Sequence, residues 1–323
     1  MAIMNIYSAG GAATNVSSAF AKYHKEKVPG FAEINAYYID TSRSNLNTDI
    51  SMDQVYLVDG VDGSGKKRAS NYEVLSECSH EILHQFKPAD INLVVHSAAG
   101  GTGSTIAPIL VSELLSRDAN VIVITIGSTA SKIEIENTSK TLKSYELISQ
   151  RRGMPVVCHY RENSTSVSRS QVDSEVQTAI ILLAAMFSGD NRELDSADLK
   201  NFINYHLVTS YTPRLSMLEF FSKEIHLGKN QSLVSAVTLV DDVANSYITH
   251  PVEYQAVGYM PDSIKPSVSV EPPIHGCVLT GNFNAIVEAL DSRLKDFGEV
   301  RKVVVERSIV AADVVSTDIG VIL

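Results

Sequence analysis

Three glycine-rich segments stand directly behind short apolar runs. Each has the composition to present backbone N–H groups to an anion at the start of a helix. The first is Ala9-Gly10-Gly11-Ala12-Ala13-Thr14-Asn15. It lacks the GxGxxG spacing of a dinucleotide fingerprint, although Asp40, at the end of the next apolar run, stands where a ribose-binding acid would. By itself this segment reads as an ordinary strand-to-helix turn. The second runs from Gly60 through Gly63-Ser64-Gly65-Lys66 to Lys67 and comes close to the P-loop pattern GxxxxGK[ST]. Lys67, however, occupies the position where a hydroxyl would hold magnesium. The third, Ala99-Gly100-Gly101-Thr102-Gly103-Ser104, is the most specific. Its glycines let the backbone approach a pyrophosphate, and Thr102 and Ser104 add hydroxyl donors.

Two further spacings carry chemistry. His80-Glu81-Ile82-Leu83-His84 is formally HExxH, with both imidazoles on one helical face as zinc ligands would be. A zinc peptidase also needs a third ligand. None stands at a suitable spacing, so the pair reads as a surface or half-buried face. Further on, Asp195 and Asp198 stand three apart at the head of a helical segment. The bland reading is that Asp195 caps the helix and Asp198 fills its first turn. The same carboxylates could orient a water, because phosphoryl transfer depends mainly on positioning and electrostatics. The three cysteines, Cys78, Cys158 and Cys277, show no CxxC or CxxH spacing, so neither a disulfide framework nor a structural zinc site is expected.

Over 323 residues, 44% are apolar and 20% charged, which excludes a disordered chain and gives a soft expectation of two domains. The 27 basic and 37 acidic residues give a formal net charge of −10. Such a chain repels phosphate backbones and anionic membrane surfaces, so direct nucleic-acid and membrane contact are disfavoured. The longest apolar run, 179–187, is about half of what spans a bilayer. The first residues show neither a basic n-region nor a long apolar stretch. The expected location is the cytoplasm.

The elements that position these residues follow from periodicity. Short apolar runs at 4–7, 34–39, 54–58, 91–95, 121–126 and 156–160 read as strands. Between them, helices are expected from about 15 to 27, then at 72–86, 106–115 and 133–149. Near-continuous apolar strands alternating with helices imply a parallel sheet buried on both faces. Ligands of such sheets sit at the carboxyl ends of the strands. The strongest helical pattern, 171–187, is apolar almost all round in its second half and reads as a buried connector. A helix is expected from 196 and another at 284–297, with strands at 207–210, 233–240, 255–259, 276–279 and 302–305. The fold class is therefore α/β.

In order along the chain, these loops resemble those of the tubulin and FtsZ superfamily. Gly100-Gly101-Thr102-Gly103-Ser104 is similar to the family's GGGTGSG signature, with Ala99 and Thr105 at its outer positions. Gly10 to Asn15 corresponds to the first phosphate loop. Gly63-Ser64-Gly65-Lys66 corresponds to the loop that senses the γ-phosphate, which accounts for the P-loop lookalike. The resemblance implies a ribose contact at Glu136, beside Asn137, and guanine contacts at Asn163 and Asp173. Arg169 stands where the family carries an aromatic, and a guanidinium can also stack on a base. Asp195 and Asp198 keep the DxxD of the family's catalytic loop, with Glu193 in place of its leading Asn. The resemblance covers the chain to about residue 205 and is looser beyond. It is greatest to phage tubulins of the PhuZ type.

The resemblance implies a Rossmann-like GTP-binding domain at 1–167, a central helix at 168–189, a smaller α+β domain at 190–305 and an acidic tail at 306–323. It also implies GTP and GDP as ligands, with Mg2+ held mainly by phosphates and water. Self-assembly into dynamic filaments would complete each active site with the acidic loop of the next subunit. The implied role is to position or segregate phage DNA in the host cytoplasm. Whether the tail docks on a neighbour or packs on its own domain stays open. So do three alternatives: a non-polymerising P-loop or Rossmann enzyme, a polymer that does not turn nucleotide over, and the zinc peptidase.

Overall fold

The computed structural model describes residues 2–27, 32–61, 63–68, 72–188, 191–241, 248, 250–262, 265, 268 and 270–306, and the side chains of all of these except 23–27 and 298–306. Most of the tail at 306–323 lies outside the described residues.

Ten strands form one sheet. In chain order they are β1 (Ile3–Ala9), β2 (Glu33–Asp40), β3 (Val55–Leu57), β4 (Ile91–Ser97), β5 (Val121–Ser128), β6 (Val156–Asn163), β7 (Leu215–Ser222), β8 (Ser232–Val240), β9 (Tyr254–Tyr259) and β10 (Ile274–Thr280). Across the sheet they run β3-β2-β1-β4-β5-β6-β7-β10-β8-β9. Pairing is parallel from β3 to β7, antiparallel on both sides of β10, and parallel between β8 and β9. The β6–β7 pairing carries the sheet from the first half of the chain into the second.

Side chains alternate across this sheet, because successive residues of a strand face opposite ways. Met4 and Ile6 of β1 join a core with α1 (Gly11–Lys27), α5 (Arg169–Met186) and α6 (Ser196–Ile203). Tyr7 and Ala9 join the opposite core with α2 (Tyr72–Gln85), α3 (Thr102–Leu115), α4 (Lys132–Arg152) and α7 (Asn282–Glu306). Strands buried on both faces are what the continuous apolar runs require.

The connector helix α5 starts on an N-cap, the Ser168 hydroxyl accepting from the Gln171 N–H. Its 18 residues span about 27 Å at 1.5 Å per residue. Val176, Ala179, Ile180 and Leu182 through Met186 are buried, so the nearly all-apolar half is enclosed as its pattern required.

Several expected elements differ. Residues 207–210 form no strand. Tyr205 anchors a short 3-10 turn, Tyr205–Leu207, by full burial and a 2.8 Å hydrogen bond with the Ser216 hydroxyl. The strand is β7, a few residues on, whose Met, Leu and Glu suit a helix equally well on pattern. The β-branched run at 302–305 continues α7. Finally, α1 and α3 begin earlier than expected, at Gly11 and Thr102. Glycines read as loop thus form first turns, where N–H groups need no intrahelical partner.

Candidate functional site

A cavity of about 540 Å3 opens at the carboxyl ends of five adjacent strands. Ala9 ends β1, Asp40 ends β2, Ser97 ends β4, Ser128 ends β5 and Asn163 ends β6, and all five line it. The strand order reverses between β1 and β4, and α/β sheets bind ligands at such a crevice.

Two helix N-termini close one end. Gly10, Gly11, Ala12 and Asn15 come from the start of α1, and Ala99 through Gly103 from the start of α3. The two loops touch. A β-carbon on Gly103 would lie 2.6 Å from the Ala9 carbonyl oxygen and 3.1 Å from that of Ser97. Gly10 has φ +84° and donates to the Ile39 carbonyl at 2.9 Å. Only glycine fits both positions. Thr14 and Ser104, both buried, lie behind the cavity wall rather than in it. The Thr14 hydroxyl donates to the Gly10 carbonyl, and that of Ser104 to the carbonyls of Gly100 and Gly101. They brace both loops from behind. Paired helix N-termini supply partial positive charge without a side chain, which suits phosphate.

The loop Gly63-Ser64-Gly65-Lys66 forms the third wall. The Ser64 and Thr41 hydroxyls lie 2.9 and 2.8 Å from the Thr102 hydroxyl, so α3 and both neighbouring loops share one hydrogen-bonded hub. Lys66 adopts φ +62°, and its carbonyl accepts from Asn137 Nδ2 at 2.9 Å. Its ammonium sits 2.5 Å from Glu134, whose other oxygen accepts from the Ser128 hydroxyl. Burial alone would raise the Glu134 carboxyl. Lys66 and Ser128 outweigh it and hold the group below its ordinary range. Because α2 starts only at Tyr72, Lys66 does not stand at a helix N-terminus, and the P-loop arrangement is not formed.

The opposite end carries Asn163, Arg169 and Asp173, the last two one turn apart on α5. Burial raises the Asp173 carboxyl, and the nearby Arg169 charge pulls against that shift. Asp40 is also raised by burial, against hydrogen bonds from Asn45 and the Thr41 and Ser42 N–H groups. With its carboxylate so engaged, Asp40 organises the β2 loop while lining the cavity.

Glu136 does not line this cavity. It lies outside, 3.6 Å from Lys132 and 3.9 Å from Lys140 on the surface of α4. Glu134 faces inward instead, because helical residues two apart point roughly 200° apart. Thr41, Asn45, Ser97 and Ser128 also line the cavity without having been singled out from the sequence. Each lies at or just after a strand's carboxyl end, and that location was their only signal.

Asp195 and Asp198 stand beyond the far end of α5. Asp195 N-caps α6, accepting from the Ala197 and Asp198 N–H groups, while Asp198 accepts from the Asp195 N–H at 3.2 Å. This is a complete capping box. Asp195 is exposed and Asp198 half-buried. Glu193 adopts φ +71°, a left-handed conformation that Asn tolerates far better.

The HExxH helix assembles differently. His80 Nδ1 sits 3.3 Å from Glu113, and Glu81 accepts from the Tyr56 hydroxyl. Among the described residues no three His, Cys, Asp or Glu side chains gather where they could hold a metal, and no helix is long and apolar enough to cross a membrane.

No family model matches the chain. It is 30% identical over 213 residues to a phage tubulin-like protein of Pseudomonas phage phiKZ and 28% identical over 200 residues to one of Pseudomonas phage PhiPA3. Each match covers 62% of this chain and 62% of the relative, so the chain spans less than two thirds of these curated relatives' length. Among solved structures, the protofilament of TubZ from bacteriophage PhiKZ matches at TM-score 0.80 and 25% identity, over 98% of this chain and 96% of that one. The phage tubulin PhuZ, solved with GDP, matches at TM-score 0.82 and 20% identity over 96% of each chain. The chain has the tubulin/FtsZ fold, as its loops implied, and its sequence resembles the phage tubulin-like proteins.

Proposed function

We propose that this chain, built on the fold of the phage tubulins, binds and hydrolyses GTP and assembles head to tail into dynamic filaments. The observation that carries the reading is the division of one chemistry between two ends of α5. A cavity suited to a mononucleotide lies at one end. A pair of carboxylates lies beyond the other, about 27 Å of helix away. Carboxylates at that distance cannot reach their own cavity, but a longitudinal neighbour would present them to it.

In this reading the amides at the starts of α1 and α3 hold the phosphates. Gly63 to Lys66 covers the terminal phosphate, with Lys66 as its cation. Asn163 and Asp173 read the guanine, Arg169 stacks on it, and Glu134 takes the ribose contact first assigned to Glu136. Mg2+, held mainly by phosphates and water, would neutralise phosphate charge. Asp195 and Asp198 of the adjacent subunit orient the attacking water.

Residues 306–323 are acidic, and we assign them a contact with a neighbouring subunit. The cellular role that follows is positioning or segregating phage DNA in the host cytoplasm. With a net charge of −10, the force would act through the filament rather than through direct DNA contact.

The test is GTP turnover per subunit against protein concentration, with filaments counted by electron microscopy in GTP, GDP and ATP. Specific activity should rise above a critical concentration, with filaments appearing at the same point in GTP. Constant specific activity would remove the shared site.

A further inference from the structure

The acidic loop is clamped by a strand that the nucleotide reading does not use. β9 is one edge strand of the sheet, and three of its residues grip residues 192–198. The Tyr259 N–H donates to the Arg192 carbonyl at 3.1 Å. Gly258 leaves room for Leu194, whose side chain would lie 2.6 Å from a β-carbon there. The Tyr254 hydroxyl donates to Asp198 Oδ1 at 2.8 Å, while Oδ2 accepts from the Asp195 N–H. From the neighbouring strand, the Ser235 hydroxyl holds the Phe202 carbonyl at the end of α6 at 2.8 Å.

The capping box accounts for only one of these contacts to Asp198. Capping requires the bond to Oδ2 and leaves the carboxylate free to turn about it. The phenol supplies a second donor from a different element, and two donors on two oxygens fix the plane of the group. Burial and the adjacent Asp198 carboxylate push the Tyr254 phenol up to about 12, so it stays a donor at any working pH.

We propose that Tyr254 is a positioning residue for hydrolysis: it holds the Asp198 carboxylate in the orientation in which the loop serves a nucleotide bound by the next subunit. The proposal rests on the acidic-loop reading above. In this role Tyr254 acts through Asp198.

The experiment uses the full chain carrying Tyr254→Phe, which removes one oxygen and keeps the ring. GTP turnover per assembled subunit should fall about tenfold, the scale of one charge-assisted hydrogen bond. GDP affinity, thermal midpoint and the critical concentration in a non-hydrolysable GTP analogue should stay unchanged. A merely structural tyrosine would move those three measurements along with turnover, or move none. Either result overturns the proposal. Asp195→Ala/Asp198→Ala serves as the control. Unchanged turnover in that control overturns the acidic-loop reading and this proposal with it. Lost turnover there, with full activity in Tyr254→Phe, overturns the tyrosine's role alone.

Discussion

At the N-terminal end of α5, five strand ends, two helix starts and a third loop close around one cavity. Their polar side chains are mostly buried or half-buried, and Thr102, Asn137 and Glu134 tie the β2 loop, the Gly63–Lys66 loop, the α3 start and α4 together. Beyond the C-terminal end, two carboxylates stand on a short segment, held by that segment's own backbone and by β9. The first region cannot change without disturbing a core, because close-packed interiors transmit strain. The second can lose its chemistry and keep its fold. A site divided this way places binding in the rigid part and leaves the reacting carboxylates at a surface where a neighbour can meet them.

The largest effect expected from breaking this contrast is at Gly103. Gly103→Ala would put a methyl group 2.6 Å from the Ala9 carbonyl oxygen, which is backbone and cannot swing aside. Overpacking of this kind costs roughly 1–3 kcal/mol, and the start of α3 must move away from the cavity. Calorimetric titration should find GTP and GDP binding lost, with a lowered thermal midpoint. Retained affinity would mean that the α3 start is not the phosphate site.

Asp195→Ala/Asp198→Ala should do the reverse. Turnover should fall by roughly 100-fold or more, as when other preorganised groups at a phosphoryl or acyl centre are removed. Nucleotide affinity should persist and filaments should become long-lived. Loss of the capping box lowers stability by only about 1–2 kcal/mol. If affinity fell as far as turnover, the two regions would not be separable.

The two regions were also unequally legible in the sequence. The glycine loops could be read because close backbone approach leaves a compositional trace. Gly101 and Gly103 stand where a side chain would collide with a neighbouring loop, and Gly10 has a positive φ. The parallel order followed from strands with no polar alternation. Residues whose role depends on helical phase were harder. Glu134 and Glu136 are identical in type and two apart, and only the helix's rotation decides which faces the cavity. Tyr254 left no trace, since its link to Asp198 crosses 56 positions and joins an edge strand to a helix cap. β7 was missed because Leu-Ser-Met-Leu carries no period-2 contrast when both faces are buried.

A smaller effect lies at the wall joining the Gly63–Lys66 loop to α4. Glu134 is depressed from its ordinary value of 4.5 by Lys66 and Ser128. A depressed carboxyl adds stability above its unfolded pKa and loses it as pH falls through the lower folded value. Glu134→Gln should therefore be less stable than the parent at neutral pH, and the gap should close below about pH 4.5. Lys66 is 51% exposed, so the loss should stay under about 1 kcal/mol. Thermal unfolding at pH 7 and pH 4 measures it, and a gap that widens in acid would reverse the assignment.

The smallest expected effect tests whether the acidic loop is locally determined. Glu193 is held at φ +71° between Arg192, bound to the Tyr259 N–H, and Leu194, packed on Gly258. A non-glycine residue in this region stores about 1 kcal/mol of strain, and asparagine stores less because its short polar side chain can bond locally. Glu193→Asn should thus raise stability by about 0.5 kcal/mol, or roughly 1–2 °C for a chain of this size. It should leave turnover per assembled subunit unchanged, because the carboxylates at 195 and 198 keep their cap and their tyrosine. Destabilisation would mean that the Glu193 side chain itself holds the loop. Stabilisation with reduced turnover would be more informative. It would mean that this loop stores strain for meeting its neighbour, and that even the locally built region is shaped by assembly.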